Sequence, residues 1–133
     1  MLASEVIKVS IRRPYAEVYE FLADPMNMTR WSSLPDSILE PQGGNDWLVD
    51  LPSGRTIIRF TPRNNFGILD YQIFQPGEDP GPAIPVRLIR NQDGADLHLV
   101  CFFRDGISEE QFRSEVEWTA SDLQRLKTLM EGG

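Results

Sequence analysis

Residues 108–131 read SEEQFRSEVEWTASDLQRLKTLME, and this stretch decides how the rest of the chain has to fold. Its apolar positions recur at steps of three and four residues, which predicts one long amphipathic helix. At about 1.5 Å per residue the helix is about 34 Å long, so it needs an equally long partner. The stripe that faces this partner consists of Phe112, Val116, Thr119, Leu123, Leu126 and Met130.

The start of this helix is marked by its capping residues. Ser108 and Gln111 have the N-cap and N3 spacing of a capping box. Glu109 and Glu110 place negative charge in the first turn, where the helix dipole favours it. Gly132 provides a residue at which the helix can end.

The composition predicts one domain that covers residues 1–133. A net charge of −7 with scattered basic residues argues against a nucleic-acid surface. No apolar segment approaches the roughly 20 residues of a membrane span, so no membrane partner is expected. The single cysteine, Cys101, excludes an internal disulfide and fits a reducing compartment. Since the first residues lack the pattern of a signal peptide, we expect a cytoplasmic protein.

The order of predicted elements indicates an α+β fold. A strand at 6–11 is followed by a helix that begins at Pro14 and by a second, short helix that reaches about Trp31. Pro35 ends this helical region, and a loop rich in proline spans 76–85. The β-rich segments joined by short turns lie at 37–40, 47–51, 55–61, 68–74, 86–91 and 96–103. Such an order predicts a curved antiparallel sheet of about six to seven strands, wrapped on the long C-terminal helix.

Several segments resemble START-like proteins of the SRPBCC superfamily. Residues 11–25, IRRPYAEVYEFLADP, continue with Asn27, Arg30 and Trp31 in the same signature. The end of the final helix, 122–131, is similar to that of bacterial members described as polyketide cyclase/dehydrase-like. Further similar segments are GILDY at 67–71, where Tyr71 replaces an expected His, and VRLI at 86–89.

This resemblance implies a helix-grip fold with an apolar cavity between the sheet and the C-terminal helix. The superfamily includes lipid carriers, hormone and polyketide binders, cyclases, dehydratases and chaperone-associated modules. It has no catalytic set common to all members, so the catalytic residues stay unknown.

Two classes of chemistry are disfavoured by the residues themselves. His98 and Cys101 are the chain's only His and Cys, and three residues apart on a strand they point to opposite faces. We therefore expect no metal site. Because the chain has no glycine-rich phosphate loop, no cofactor is expected either.

The faces of the sheet follow from a two-residue turn at Asp93-Gly94, which pairs Gln92 with Ala95. This pairing gathers an apolar set that we place inside: Val86, Leu88, Leu97, Leu99, Cys101 and Phe103, extended by Ile58, Phe60, Leu69, Tyr71 and Ile73. The outer face then carries a ladder of ion pairs formed by Arg59, Asp70 and Arg87. It also carries an apolar patch suited to homodimerisation, made of Ile89, Val100 and Phe102. If the faces are inverted, Arg59, Asp70, Arg87 and His98 become a buried charged site instead.

The preferred face predicts the residues that contact a ligand: Trp31, Phe60, Tyr71, Leu99, Phe103, Glu115 and Thr119. Tyr71 supplies a phenol that can donate or accept a hydrogen bond, and Thr119 interrupts the apolar stripe of the helix. Glu115 borders this stripe. It either has a raised pKa and acts as a general acid or base, or it simply reaches solvent or pairs with an arginine.

Three functions fit this pattern. The first is binding of a small hydrophobic ligand, lipid-, aromatic- or polyketide-like, in the cavity. The second is a cyclase or dehydratase that works by acid–base catalysis in the same cavity. The third is a protein-interaction module whose cavity is vestigial.

Overall fold

The computed structural model describes residues 1–34 and 39–132. Within them the chain forms, in order, β1 (Ser4–Ile11), α1 (Tyr15–Ala23), a 3₁₀ turn (Pro25–Asn27), α2 (Met28–Trp31), β2 (Glu40–Gly43), β3 (Asp46–Leu51), β4 (Gly54–Phe60), β5 (Tyr71–Phe74), β6 (Val86–Asn91), β7 (Gly94–Phe102) and α3 (Glu109–Gly132). The predicted α+β fold, with two short helices after the first strand, is confirmed. No helix in the described ranges is long and apolar enough to cross a membrane.

In the described part of the chain, the strands form two antiparallel sheets. One sheet has the order β1-β7-β6 and the other the order β2-β3-β4-β5. Two single bridges join them, Ile68 to Arg87 and Tyr71 to Ile84. The sheets therefore part beyond these bridges, between the end of β5 and the end of β7.

The predicted register of the β6–β7 hairpin was wrong by two residues. Asn91 pairs with Gly94 and Leu88 with Leu97, so the turn is centred on Gln92 and Asp93. Gln92 takes a positive φ of 54°, which is uncommon for a residue other than glycine. Since side chains alternate with a period of two, a shift by two residues leaves every side chain on its predicted face.

The role of Gly94 is also different from the predicted one. It begins β7 instead of closing the turn, and β1 approaches it closely. A Cβ at this position would lie 2.8 Å from the backbone carbonyl oxygen of Ile11. Gly94 is therefore required by the contact between two backbones and not by turn geometry.

The predicted apolar set faces the interior. Ile58, Val86, Leu88, Leu97 and Leu99 are buried, and the other members are half-buried except Ile73, which is exposed. Arg59 and His98 face outward with the alternate residues of their strands.

The predicted ladder of outer ion pairs was only half right. Arg87 pairs with Asp70, but Arg59 pairs with Asp46 at 2.7 Å. The register places Asp46 and Gln72 on either side of Arg59, whereas Asp70 precedes β5. The predicted strand at 68–74 is thus shorter. Of the predicted strand at 37–40, residues 37 and 38 lie outside the described residues, Leu39 is buried and Glu40 begins β2. The predicted helix end at Pro35 also lies outside the described residues.

Helix α3 begins with the predicted capping box. The backbone N–H of Gln111 donates to Ser108 Oγ at 3.1 Å, and the N–H of Ser108 donates to Gln111 Oε1 at 2.8 Å. Further along, Leu123 and Leu126 are 1% and 0% exposed. The predicted stripe therefore does face the protein.

Polar contacts fix α3 against β1 and α2. Lys127 Nζ donates to the carbonyl oxygen of Ser10 at 2.6 Å, and Glu131 accepts from the backbone N–H of Arg12 at 2.8 Å. Arg113 pairs with Glu5 near the other end of β1. Arg125 Nη1 donates to the carbonyl oxygen of Trp31 at 3.0 Å. These contacts hold α3 along the β1 side of the β1-β7-β6 sheet.

We predict that Gly94→Ala destabilises the protein by about 1–3 kcal/mol, because the added methyl group overlaps a backbone oxygen that cannot move cheaply. The control is Gly132→Ala, where no atom lies within 4 Å of the added Cβ. Urea unfolding followed by tryptophan fluorescence compares the two free energies of unfolding. Equal midpoints for both variants would contradict the close approach of β1 and β7.

Candidate ligand-binding site

A groove of about 790 Å³ lies between α3, the end of β7 and the start of β5. It opens where the two sheets part, and the proline-rich segment 80–84 forms its third side. We call this space the groove. Its apolar lining comes from Leu2, Ile73, Pro80, Pro82, Ala83, Ile84, Leu99, Val100, Phe102 and Trp118, and its polar lining from Ser33, Tyr71, Cys101, Arg104, Glu115, Thr119 and Asp122.

A second, much smaller cavity of about 40 Å³ lies deeper, beneath α1 and α2. Its walls are mostly apolar and include Trp31 and Phe60. Tyr71 lines both spaces, so its side chain separates the small cavity from the groove. A volume of 40 Å³ suits small solvent molecules, whereas the groove has the size of a drug-like ligand site.

The hydroxyl of Tyr71 has no hydrogen-bond partner among the described residues. No polar side-chain atom in these ranges is both fully enclosed and unpaired, so the hydroxyl is not sealed off, and Tyr71 lines the groove as well as the small cavity. Burial of the side chain raises the pKa of Tyr71, and the nearby Cys101 and Asp122 raise it further. Tyr71 therefore stays protonated at neutral pH and presents a hydrogen-bond donor.

Cys101 and Thr119 bridge the groove from β7 to α3. The thiol Sγ lies 3.8 Å from Thr119 Oγ1, to which it donates. Burial raises the pKa of the Cys101 thiol. Since the thiolate is the nucleophilic form, Cys101 is not activated for nucleophilic chemistry.

Glu115 pairs with Arg104 at the mouth of the groove. Both terminal guanidinium nitrogens of Arg104 donate to the carboxylate, each at 2.8 Å. This fork geometry occupies both oxygens of Glu115. The sequence left the role of Glu115 open. In the structure its carboxylate is paired with an arginine.

Asp122 occupies the opposite end of the polar lining. Its carboxylate accepts hydrogen bonds from the backbone N–H and the hydroxyl of Ser33, and from Arg125. These contacts fasten the chain after α2 to α3. Asp122 lies three residues after Thr119, so helical spacing already placed it on the same face, although we did not single it out.

The rim of the groove carries large apolar side chains that are exposed to solvent. Trp118 is 63% exposed, Ile73 43%, Leu2 42% and Phe102 39%. Their grouping around one opening distinguishes them from the scattered apolar residues found on most protein surfaces.

The structure brings together only some of the predicted ligand contacts. Tyr71, Leu99, Glu115 and Thr119 line the groove, while Trp31 and Phe60 line the small cavity with Tyr71. Phe103 lines neither space and stacks on Phe112, with ring centroids 4.9 Å apart.

The charged residues of the inverted alternative lie elsewhere. Arg59, Asp70, Arg87 and His98 line neither space, and Arg59 and Arg87 pair on the outer face of the sheets. Among the described residues, no three His, Cys, Asp or Glu side chains are grouped so that they could hold a metal ion.

The sequence matches no family model and no curated protein. Solved structures nevertheless share its fold. The protein XoxI from Bacillus cereus superposes with a TM-score of 0.74 at 16% identity, over 96% of this chain and 95% of that one. The Aha1 dimer from Colwellia psychrerythraea gives a TM-score of 0.72 at 13% identity, over 97% of this chain and 96% of that one.

DynU16, a protein of the dynemicin biosynthetic locus, is also similar, with a TM-score of 0.68 at 20% identity. The match covers 96% of this chain and 47% of DynU16. At these identities the comparisons establish that the chain has the α+β, helix-grip-like fold of these proteins.

Proposed function

We propose that the protein is a START-like binder of a small hydrophobic ligand, which it holds in the groove between α3 and the sheets. One observation carries this proposal: a space of about 790 Å³ with a mainly apolar lining is bordered by Tyr71, whose hydroxyl has no partner among the described residues. Burial of apolar ligand surface would supply the affinity, at about 25 cal/mol per Å². The few polar groups would set the orientation.

The chemistry of the polar lining favours binding over acid–base catalysis. A general acid or base works best with a pKa near the operating pH. Burial instead moves the pKa values of Tyr71 and Cys101 upward, away from neutrality. The carboxylate of Glu115 is held in a fork by Arg104. None of these groups is prepared to transfer a proton, so we favour a carrier or sensor over a cyclase or dehydratase.

The comparisons support the proposal only through the fold. The SRPBCC resemblance of residues 11–31 and the similarity to a protein of a biosynthetic locus are both compatible with ligand binding. More specifically, we propose that the ligand is aromatic or polyketide-like.

We predict that Thr119→Trp weakens binding of Nile red, an uncharged fluorescent probe, because the indole occupies part of the groove. The matched control is Thr128→Trp, which adds the same side chain at an exposed position of the same helix. Titration by fluorescence should give a dissociation constant at least about tenfold weaker for the first variant only, a change of about 1.4 kcal/mol. Unchanged binding in Thr119→Trp would place the probe elsewhere.

We further predict that bound Nile red slows alkylation of Cys101 by iodoacetamide. The protein without probe should react more slowly at pH 7 than free cysteine, because burial raises the thiol pKa and lowers the thiolate fraction. The rate should rise with pH through that raised pKa. Mass spectrometry measures the rate, and the urea-unfolded protein serves as the control. Equal rates with and without probe would exclude the groove as its site.

We also propose a homodimer formed through the outer face of the β1-β7-β6 sheet. Val6 is 59% exposed and pairs with Val100 across β1 and β7, next to Phe102, and Ile89 is exposed on the same face. The dimeric state of the structurally similar Aha1 from Colwellia psychrerythraea gives this proposal weak support.

We predict that Val6→Lys converts this dimer to a monomer, because a charge would be placed at the centre of an apolar contact. Light scattering after size exclusion measures the mass. Thr128→Lys, on the opposite side of the molecule, should leave the dimer intact. A monomeric wild-type protein at high concentration would rule the dimer out.

A further inference from the structure

We infer that the ligand is uncharged and carries a hydrogen-bond acceptor oxygen, a carbonyl or an ether, that Tyr71 and Thr119 recognise. The inference rests on the proposed function and narrows the class of ligand. It makes Tyr71 and Thr119 the residues that determine specificity.

The first argument concerns the donor at Tyr71. Its phenol is protonated at neutral pH, lines the groove and meets no acceptor among the described residues. An unpaired hydroxyl in a mainly apolar space becomes more stable when a ligand atom pairs with it. A phenol can both donate and accept. Asp122 and the Cys101 sulfur, which influence its pKa, both favour keeping its proton, so the hydroxyl stays able to donate.

The second argument concerns Thr119, which lies across the groove on α3. Its oxygen accepts the thiol hydrogen of Cys101. The hydroxyl proton of Thr119 goes to no acceptor within the described ranges and is free for a ligand. Two hydroxyl protons without acceptors among the described residues thus line one space, which favours a ligand that offers acceptor oxygens.

The third argument concerns charge. Arg104 is the only cation among the described residues that line the groove, and both of its terminal nitrogens are taken by Glu115. Asp122 adds a second carboxylate to the same lining. A carboxylate on the ligand would find the charge of Arg104 already neutralised by Glu115 and would be repelled by Asp122, so its burial would be unfavourable. This argues against fatty acids and other anions.

A matched series of fluorescent probes tests the inference. The three probes share a dimethylaminonaphthalene ring: one carries a propionyl ketone, one carries no acyl group, and one carries a carboxylate. We expect the ketone to bind the wild-type protein most tightly and the carboxylate most weakly. Tyr71→Phe should weaken binding of the ketone by about three- to tenfold and that of the unsubstituted ring by less than about twofold.

Two further variants keep the test sharp. Thr119→Val keeps nearly the same side-chain shape and should also weaken binding of the ketone selectively. It provides the test if Tyr71→Phe does not fold. Tyr15→Phe removes a phenol that lines neither space and should change no affinity. Thermal unfolding monitored by circular dichroism confirms that each variant is folded.

The outcomes separate the two proposals. If none of the probes binds, the proposed ligand-binding function fails. If all bind but Tyr71→Phe and Thr119→Val weaken the ketone and the unsubstituted ring alike, the function stands and the inference is overturned. Tightest binding of the carboxylate probe overturns the inference as well.

Discussion

Burial of the apolar stripe of α3 against the sheets is the interaction on which the rest of this structure depends. Leu123 and Leu126 are almost completely enclosed, and burying each side chain contributes about 1.5–3 kcal/mol. A helix rich in exposed charged residues gains most of its stability from such packing. The strands must therefore provide one long, continuous apolar face, which their alternating side chains do.

The same helix leaves a groove because its polar contacts to the strands lie on the β1 side. Lys127, Glu131 and Arg113 tie it to β1 and the residue that follows β1, while the sheets part on the opposite side beyond the bridge between Tyr71 and Ile84. On that side the space between α3 and the sheets is too wide for direct packing. Thr119 lies where the apolar stripe of α3 passes over this space. The thiol of Cys101 reaches this position from β7. A polar interruption of an apolar stripe thus coincides with a gap in the core.

Local patterns predicted the faces of the sheet more reliably than the pairing of its strands. The β6–β7 register shifted by two residues, yet Leu88 and Leu97 stayed inside, because an even shift preserves alternation. Gly94 was assigned to a turn, although it is needed where the Ile11 carbonyl approaches. Arg59 was paired with Asp70, although the register places Asp46 beside it. Each error concerns which residue meets which across strands, and no period in the sequence encodes that.

Local patterns in the sequence were sufficient to predict the amphipathic helix with its capping box, the α+β order and the inward set of apolar residues. These depend on periods of 3.6 and 2 and on contacts within a few residues. Which polar groups are already paired became known from the three-dimensional structure alone. Glu115 meets Arg104, Asp122 meets Ser33 from 89 residues away, and Tyr71 meets no described partner. Such pairings depend on distances between segments remote in the chain. For that reason the chemical character of the groove could not be predicted from the sequence.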